Sequence, residues 1–395
     1  MAEAKESWLN RTVLGIGLAS FFADVGHEMA TAAMPALLAS VGGSSAVLGL
    51  IEGLSDGFSS FAKLLSGVYS DRLQRRKPLA VFGYFLTAAG MASFAWAASW
   101  HHVLFGRVAG WIGRGARGPV RNVLLTEAVT PGTYGRAFGF ERAMDTAGAV
   151  LGPLLAIFLL SRLGMRGLFL FTLIPGLIAA AIIAFVVREE PRQPQEKVPF
   201  WKSAQGLPRR YYRYLLGVGI AGVGDFSNTL LILWATQAWT PEYGLVGAAS
   251  LAMAFYVGYN VVNTLSCSLS GYLADRVPKH RLLAAGYTLA VVPAVFLLLP
   301  GASLLKFAVI FGFSGIYMGV QETVEKSAAA ELLPEASRGL GFGVLATVNG
   351  LGDLLSSILV GALWVLHPGG AMGYVIVMSL AGAALVASSP APDTA

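Results

Sequence analysis

Apolar residues run along this chain in stretches of about 20, separated by short polar or glycine-containing links. A run of that length matches the hydrocarbon thickness that a membrane helix must cross. Twelve runs predict twelve transmembrane helices, with cores at 12–38, 46–69, 78–98, 103–127, 138–160, 167–187, 213–238, 248–273, 282–299, 304–330, 339–366 and 373–389. One longer polar stretch, REEPRQPQEKVPFWKSAQGLPRRYYR (188–213), divides them six and six. The expected architecture is an all-α membrane protein. It has a six-helix bundle over 1–190, a cytoplasmic linker over 191–212 and a second six-helix bundle over 213–395.

Composition agrees with lipid as the solvent. Of 395 residues 55% are hydrophobic and 13% charged, against about 25% charged in a soluble domain. The 48 glycines fall within apolar runs, where small residues let helices approach closely. The first ten residues, MAEAKESWLN, lack the form of a cleavable signal, so the first apolar run reads as a retained helix. Cys267 is the single cysteine, which excludes an intramolecular disulfide and a multi-cysteine metal site.

The net charge of +6 is explained by where the cations lie. Eighteen Lys and Arg residues flank the N-terminus and the even-numbered links, against Arg162 and Arg166 on the opposite side. That asymmetry predicts a multi-pass protein of the cell membrane with both termini cytoplasmic. It also removes the case for nucleic-acid binding.

The two halves repeat. LGIGLASFFAD (14–24) matches LGVGIAGVGD (216–225), GVYSDRLQRRKPL (67–79) matches GYLADRVPKHRLL (271–283), and TEAVTPGTYGRAFGF (126–140) matches AELLPEASRGLGFG (330–343). The order is kept and the offset stays near 202–204. Two repeated halves of six spans is a transporter plan.

At these residues a resemblance can be stated: the chain resembles the major facilitator superfamily (MFS) over essentially its whole length. GVYSDRLQRR (67–76) is similar to the family signature G-x-L-A-D-R-x-G-R-R between helices 2 and 3, with Tyr69 and Gln74 departing from it. The second copy keeps Gly271, Asp275 and Arg276. GAVLGP (148–153) resembles the helix 5 motif of antiporters, without its trailing glycine, and Arg107 resembles the arginine of a helix 4 motif. AVLGLIEGLSDGFSSFAKLLSG and GRAFGFERAMDTAGAVLGP also look like a poorly characterised prokaryotic branch of permeases. The resemblance implies a gate built on Gly67, Asp71, Arg72, Arg76, Asp275 and Arg276, in which Asp71 accepts bonds from a helix N-terminus. It further implies a stiff helix 5 seam at Gly148, Gly152 and Pro153, for which plain packing is the competing role.

Charges inside apolar spans need a reason, because each costs about 3 kcal/mol to insert. Asp24 and Glu28 share a helix face with His27 beside them; Glu52 and Asp56 repeat the spacing, with Lys63 near the same stripe. Glu141 and Asp145 repeat it again, next to Arg142. Helix 4 carries the opposite sign: Arg107, Arg114 and Arg121 at intervals of seven, with Arg117 nearby. Helices 1, 2, 4 and 5 of the superfamily fold meet, so these stripes are expected to face one another. Glu141, Arg142, Arg121 and Glu127 read as structural ion pairs. Asp24, Glu28 and Asp56, with His27, read as the proton-coupling site, since a carboxylate held from water can take up and release a proton as access changes.

The second half is less charged. Asp225 stands at the position of Asp24, and Asn260 at that of Asp56. A substrate surface is expected from Asp225, Asn228, Trp234, Tyr256, Asn260, Gln321 and Asn349, joined from the first half by Glu52, Lys63, Arg114 and Arg117.

Enzyme signatures fail on context. HEMAT (27–31) lacks the second zinc histidine, GRGARG (113–118) follows a helix instead of a strand, and no GxxxxGK[ST] loop occurs. GLSDG (53–57) lies within a predicted helix, not at a strand-to-helix turn. The expectation is a monomeric secondary transporter without cofactor or metal, moving a small organic solute with protons, with export by antiport favoured. A proton-coupled importer of an organic anion, such as a siderophore or carboxylate, is the alternative. A non-transporting sensor or lipid-moving protein is the alternative of another class.

Overall fold

The structure, a computed structural model, describes residues 7–42, 45–190, 205–226 and 228–388. Of the expected linker, 191–204 lies outside the described residues. Among the described residues the chain is helical and has no strand. Helix α1 spans Arg11–Ser40, α2 Ser45–Arg72, α3 Lys77–Ala92, continued by a 3-10 turn at Ser93–Trp96, and α4 Trp100–Glu127. The helical stretch Tyr134–Phe185 is broken at Gly164 into α5 (134–163) and α6 (165–185). Helix α7 is Arg209–Gly224, and the stretch Asn228–Ala274 is broken at Gly244 into α8 (228–243) and α9 (245–274). Then follow α10 Lys279–Leu289, α11 Val291–Leu298, α12 Leu304–Leu332, α13 Arg338–Leu366 and α14 Pro368–Ala387. The reversals at Gly164 (φ 64°) and Gly244 (φ 67°) use the left-handed region that glycine enters without strain.

These helices make the twelve spans read from the sequence, with two interruptions. The seventh span is α7 plus α8, broken at Asp225, whose ψ of 135° is extended. Gly217, Gly219, Gly222 and Gly224 lie in the last turns before the break and weaken the helix there. The ninth span is α10 plus α11, where Pro293 removes a backbone donor and crowds the carbonyl of Leu289. Six helical segments among the described residues are apolar and long enough to cross a membrane by length and composition alone. The chain is an integral membrane protein.

Packing divides the chain into two compact units: Met1–Leu207 with Leu333–Thr347, and Pro208–Leu332 with Val348–Ala395. The sequence repeat has a structural counterpart. A 3-10 turn precedes both α5 (Pro131–Thr133) and α13 (Glu335–Ser337). Glu127 at the end of α4 pairs with Arg76, as Glu331 near the end of α12 pairs with Lys279.

In the first unit, α3 and α4 meet backbone to backbone. A Cβ on Gly113 would lie 2.6 Å from the Gly83 carbonyl oxygen and 2.7 Å from the Thr87 nitrogen. One on Gly90 would lie 2.6 Å from the Gly106 oxygen. Thr87 adds a hydroxyl bond to the Gly110 oxygen at 3.2 Å across the seam. Gly113→Ala is therefore expected to destabilise by about 1–3 kcal/mol through overpacking, read as a lower melting temperature of the purified protein in detergent.

Candidate functional site

The first unit gathers the charges of α1, α2, α4 and α5, and its arginines choose partners selectively. Arg107 Nη2 donates to both oxygens of Glu52, at 3.0 and 3.1 Å, and its Nη1 to the Thr31 hydroxyl at 2.8 Å. Arg114 lies 3.3 Å from Asp24 Oδ1, an ion pair without hydrogen-bond alignment. Arg121 binds Glu141 at 2.8 Å and approaches Asp145 to 3.8 Å, while Arg142 also pairs with Asp145. Asp24, Glu141 and Asp145 are all buried. Such pairing is what makes buried charge tolerable.

Two carboxylates stay outside this scheme. Glu28 has a half-buried side chain whose nearest basic partner is the His27 imidazole, 3.8 Å away. Asp56 is exposed and accepts a hydrogen bond from Trp111 Nε1 at 2.7 Å. Neither forms an ion pair with Arg or Lys among the described residues.

Trp111 is the hub of this region, and the sequence reading passed over it. Its ring stacks on His27 at 4.4 Å, lies under the Arg107 guanidinium at 4.1 Å and is within 5.5 Å of that of Arg114. The signal was present: Trp111 falls four residues after Arg107 and three before Arg114, on the same helical stripe. Arg117, expected as a substrate contact, is buried and stacks on Tyr84 at 4.1 Å, with its Nη1 unpartnered. Lys63 is half-buried two turns beyond Asp56.

The α1–α5 contact supports the acidic face. A Cβ on Gly148 would lie 2.5 Å from the Phe21 oxygen and 3.2 Å from Asp24 Cβ; one on Gly152 would lie 2.8 Å from the Val25 oxygen and 2.9 Å from Glu28 Cβ. The two glycines therefore clasp α1 at the residues carrying its carboxylates. Pro153 follows, half-buried, without breaking α5.

At the far end of α2, Asp71 Oδ1 and Oδ2 accept from the amides of Gly339 (3.0 Å) and Leu340 (2.7 Å) in the first turn of α13. An aspartate there meets the positive end of the helix dipole. Arg76 is buried, donates to Asp71 Oδ1 at 3.3 Å and to the Ser70 carbonyl at 2.9 Å, and pairs with Glu127. Gly67 packs against the backbone of Gly339, leaving no room for a side chain, and Arg72 is half-buried.

In the second unit Arg276 lies over the Tyr272 ring at 3.9 Å, and Asp275 is half-buried. Trp234 is a core residue, stacked on Trp364 at 3.8 Å. Tyr256 stacks on Tyr259 at 5.5 Å, and the Asn260 amide donates to the Tyr256 carbonyl at 3.0 Å. These contacts are of a packing kind. The Asn228 side chain lies outside the described residues. Asp225 sits at the helix break near Tyr317; Asn349 donates to Glu325 at 2.7 Å, and Gln321 is buried beside that glutamate.

Known proteins are similar to this chain in sequence, and others in fold. An MFS-type transporter of Methanocaldococcus jannaschii is 28% identical over 363 residues, covering 91% of this chain and 90% of the relative. The cis,cis-muconate transport protein of Acinetobacter baylyi is 27% identical over 278 residues, 65% of this chain and 63% of that protein. The crystal structure of the human organic anion transporter MFSD10 superposes with a TM-score of 0.75 at 15% identity, covering 95% and 99% of the two chains. The twelve spans thus follow the fold of secondary transporters and not of an enzyme. With the family model matched across residues 16–357, the chain belongs to the Major Facilitator Superfamily.

Proposed function

We propose that this secondary transporter couples solute movement to protons by antiport, with Glu28 and Asp56 as the exchanging carboxylates. The observation that carries this reading is selective pairing. Asp24, Glu52, Glu141 and Asp145 are neutralised by arginine, whereas Glu28 and Asp56 remain half-buried or exposed without one. A membrane-depth carboxylate without a fixed cation can hold a proton or a cationic solute, one at a time, which is the requirement for exchange. Asp24 then positions Arg114, and His27 with Trp111 forms the wall between the two free carboxylates. The solute favoured by this chemistry is a small organic cation, exported as protons enter. The charge asymmetry of the links supports both termini on the cytoplasmic side of the cell membrane.

The test is proton flux in proteoliposomes holding an entrapped pH dye, started by adding ethidium. The wild type is expected to move protons on ethidium addition, and the Glu28→Gln plus Asp56→Asn variant to lose that flux. Wild-type flux in the double variant would remove both residues from the mechanism.

A second reading is import of an organic anion. It is favoured by the unpartnered Nη1 of buried Arg117 and by the relative named for cis,cis-muconate. In the same vesicles, proton flux started by muconate and not by ethidium would select it.

A further inference from the structure

Buried carboxylates in the first unit have arginine partners; the second unit holds one that does not. Glu325 on α12 is 2% exposed and forms no ion pair with Lys, Arg or His among the described residues. Its partners are neutral hydrogen-bonding groups. The Tyr287 hydroxyl donates to Oε1 at 2.6 Å and the Asn349 amide to Oε2 at 2.7 Å. Gln321, one turn earlier on α12, lies beside the same carboxylate and leaves its own Oε1 buried without a partner. Tyr214 from α7 donates to the Glu325 backbone carbonyl at 2.8 Å. The remaining titratable groups facing it are Tyr211 on α7, Tyr317 on α12, Asp225 at the break after α7, and Asp353 on α13. None supplies positive charge.

We propose that Glu325 is a second proton-binding site, chemically separate from Glu28 and Asp56. An isolated charge at this burial is removed most cheaply by a proton. The surrounding groups suit both states. Ionised, the carboxylate accepts from Tyr287 and Asn349; protonated, it offers a donor to the orphaned Gln321 oxygen beside it. Asn349 is half-buried, and Asp353, one turn further along α13, is exposed. The site extends the proton-coupled reading but does not depend on the first-unit residues, and a cycle using both exchanges more than one proton.

The experiment is pH-difference infrared spectroscopy of the purified full-length protein in lipid, with no solute added, following the carbonyl stretch of protonated carboxyls. The wild type is expected to gain such a band as pH falls. Glu325→Gln should lose one carboxyl's share of it, while Glu28→Gln plus Asp56→Asn keeps that share. Tyr287→Phe should displace the midpoint of the same component and leave its amplitude. Glu325→Asp, keeping a carboxyl, guards against loss of fold and should retain a shifted component. A band unaltered by Glu325→Gln would overturn the proposal. So would a component that Tyr287→Phe leaves in place. Loss of ethidium-driven flux in the first-unit variant bears on the antiport reading alone.

Discussion

Arg121→Ala is expected to destabilise the protein by about 3–5 kcal/mol, because removing one member of a buried ion pair strands the other. Arg121 Nη1 lies 2.8 Å from Glu141 and donates to the Ser20 hydroxyl at 2.9 Å; Ser20 in turn donates to Glu141 at 3.0 Å. Glu141 is fully buried, so without the guanidinium its charge has a single hydroxyl to satisfy it. The converse change is milder. Glu141→Gln keeps an oxygen for Ser20 and leaves Arg121 with Asp145 at 3.8 Å, so its cost should fall near that of one ordinary hydrogen bond, about 1 kcal/mol. Melting of the purified variants in detergent measures both. An Arg121→Ala protein as stable as wild type would mean that this network is not closed in the membrane.

The second large effect concerns Asp71. Asp71→Ala removes the acceptor of two amides in the first turn of α13 and one partner of the buried Arg76. The expected cost is about 1–3 kcal/mol, the range for losing hydrogen bonds to a charged group. Asp71→Asn keeps one acceptor oxygen and should fall between. The diagnostic readout is local: amide hydrogen exchange at Gly339 and Leu340 should accelerate in Asp71→Ala, while exchange in the α3–α4 pair stays as in wild type. Unchanged exchange at those two amides would show that the cap does not form in the membrane. As a proposal, the same contact is a gate latch, and its weakening should then also alter transport rate.

The spans were legible because the bilayer imposes a length and a polarity on every helix, and both are written in the order of residues. Ion-pair faces were legible as well, since Glu141 and Asp145 lie four apart on one helix and the arginines of α4 recur at seven. Which arginine meets which acid was not, because that depends on the rotation of one helix against another. Thus Glu127, read with Glu141, Arg142 and Arg121 as a structural ion-pair group, is indeed paired, and its partner is Arg76. Arg117, one turn from Arg114, faces Tyr84 and not an acid. The break at Asp225 was hidden because the apolar pattern runs through it, and only the glycines before it hinted at weakness. Glu325 was visible as an intramembrane charge, but that it has no cation is a fact of packing alone.

The glycine seam between α3 and α4 has a mechanical consequence. With backbone touching backbone at Gly83, Gly90, Gly106 and Gly113, no layer of side chains remains that could reshuffle rotamers and let one helix slide on the other. The pair is a stiff plank. Bending during a turnover has to be taken up elsewhere in the chain, and the unwound step at Asp225, where the helical ladder is already cut, is one compliant place the fold provides.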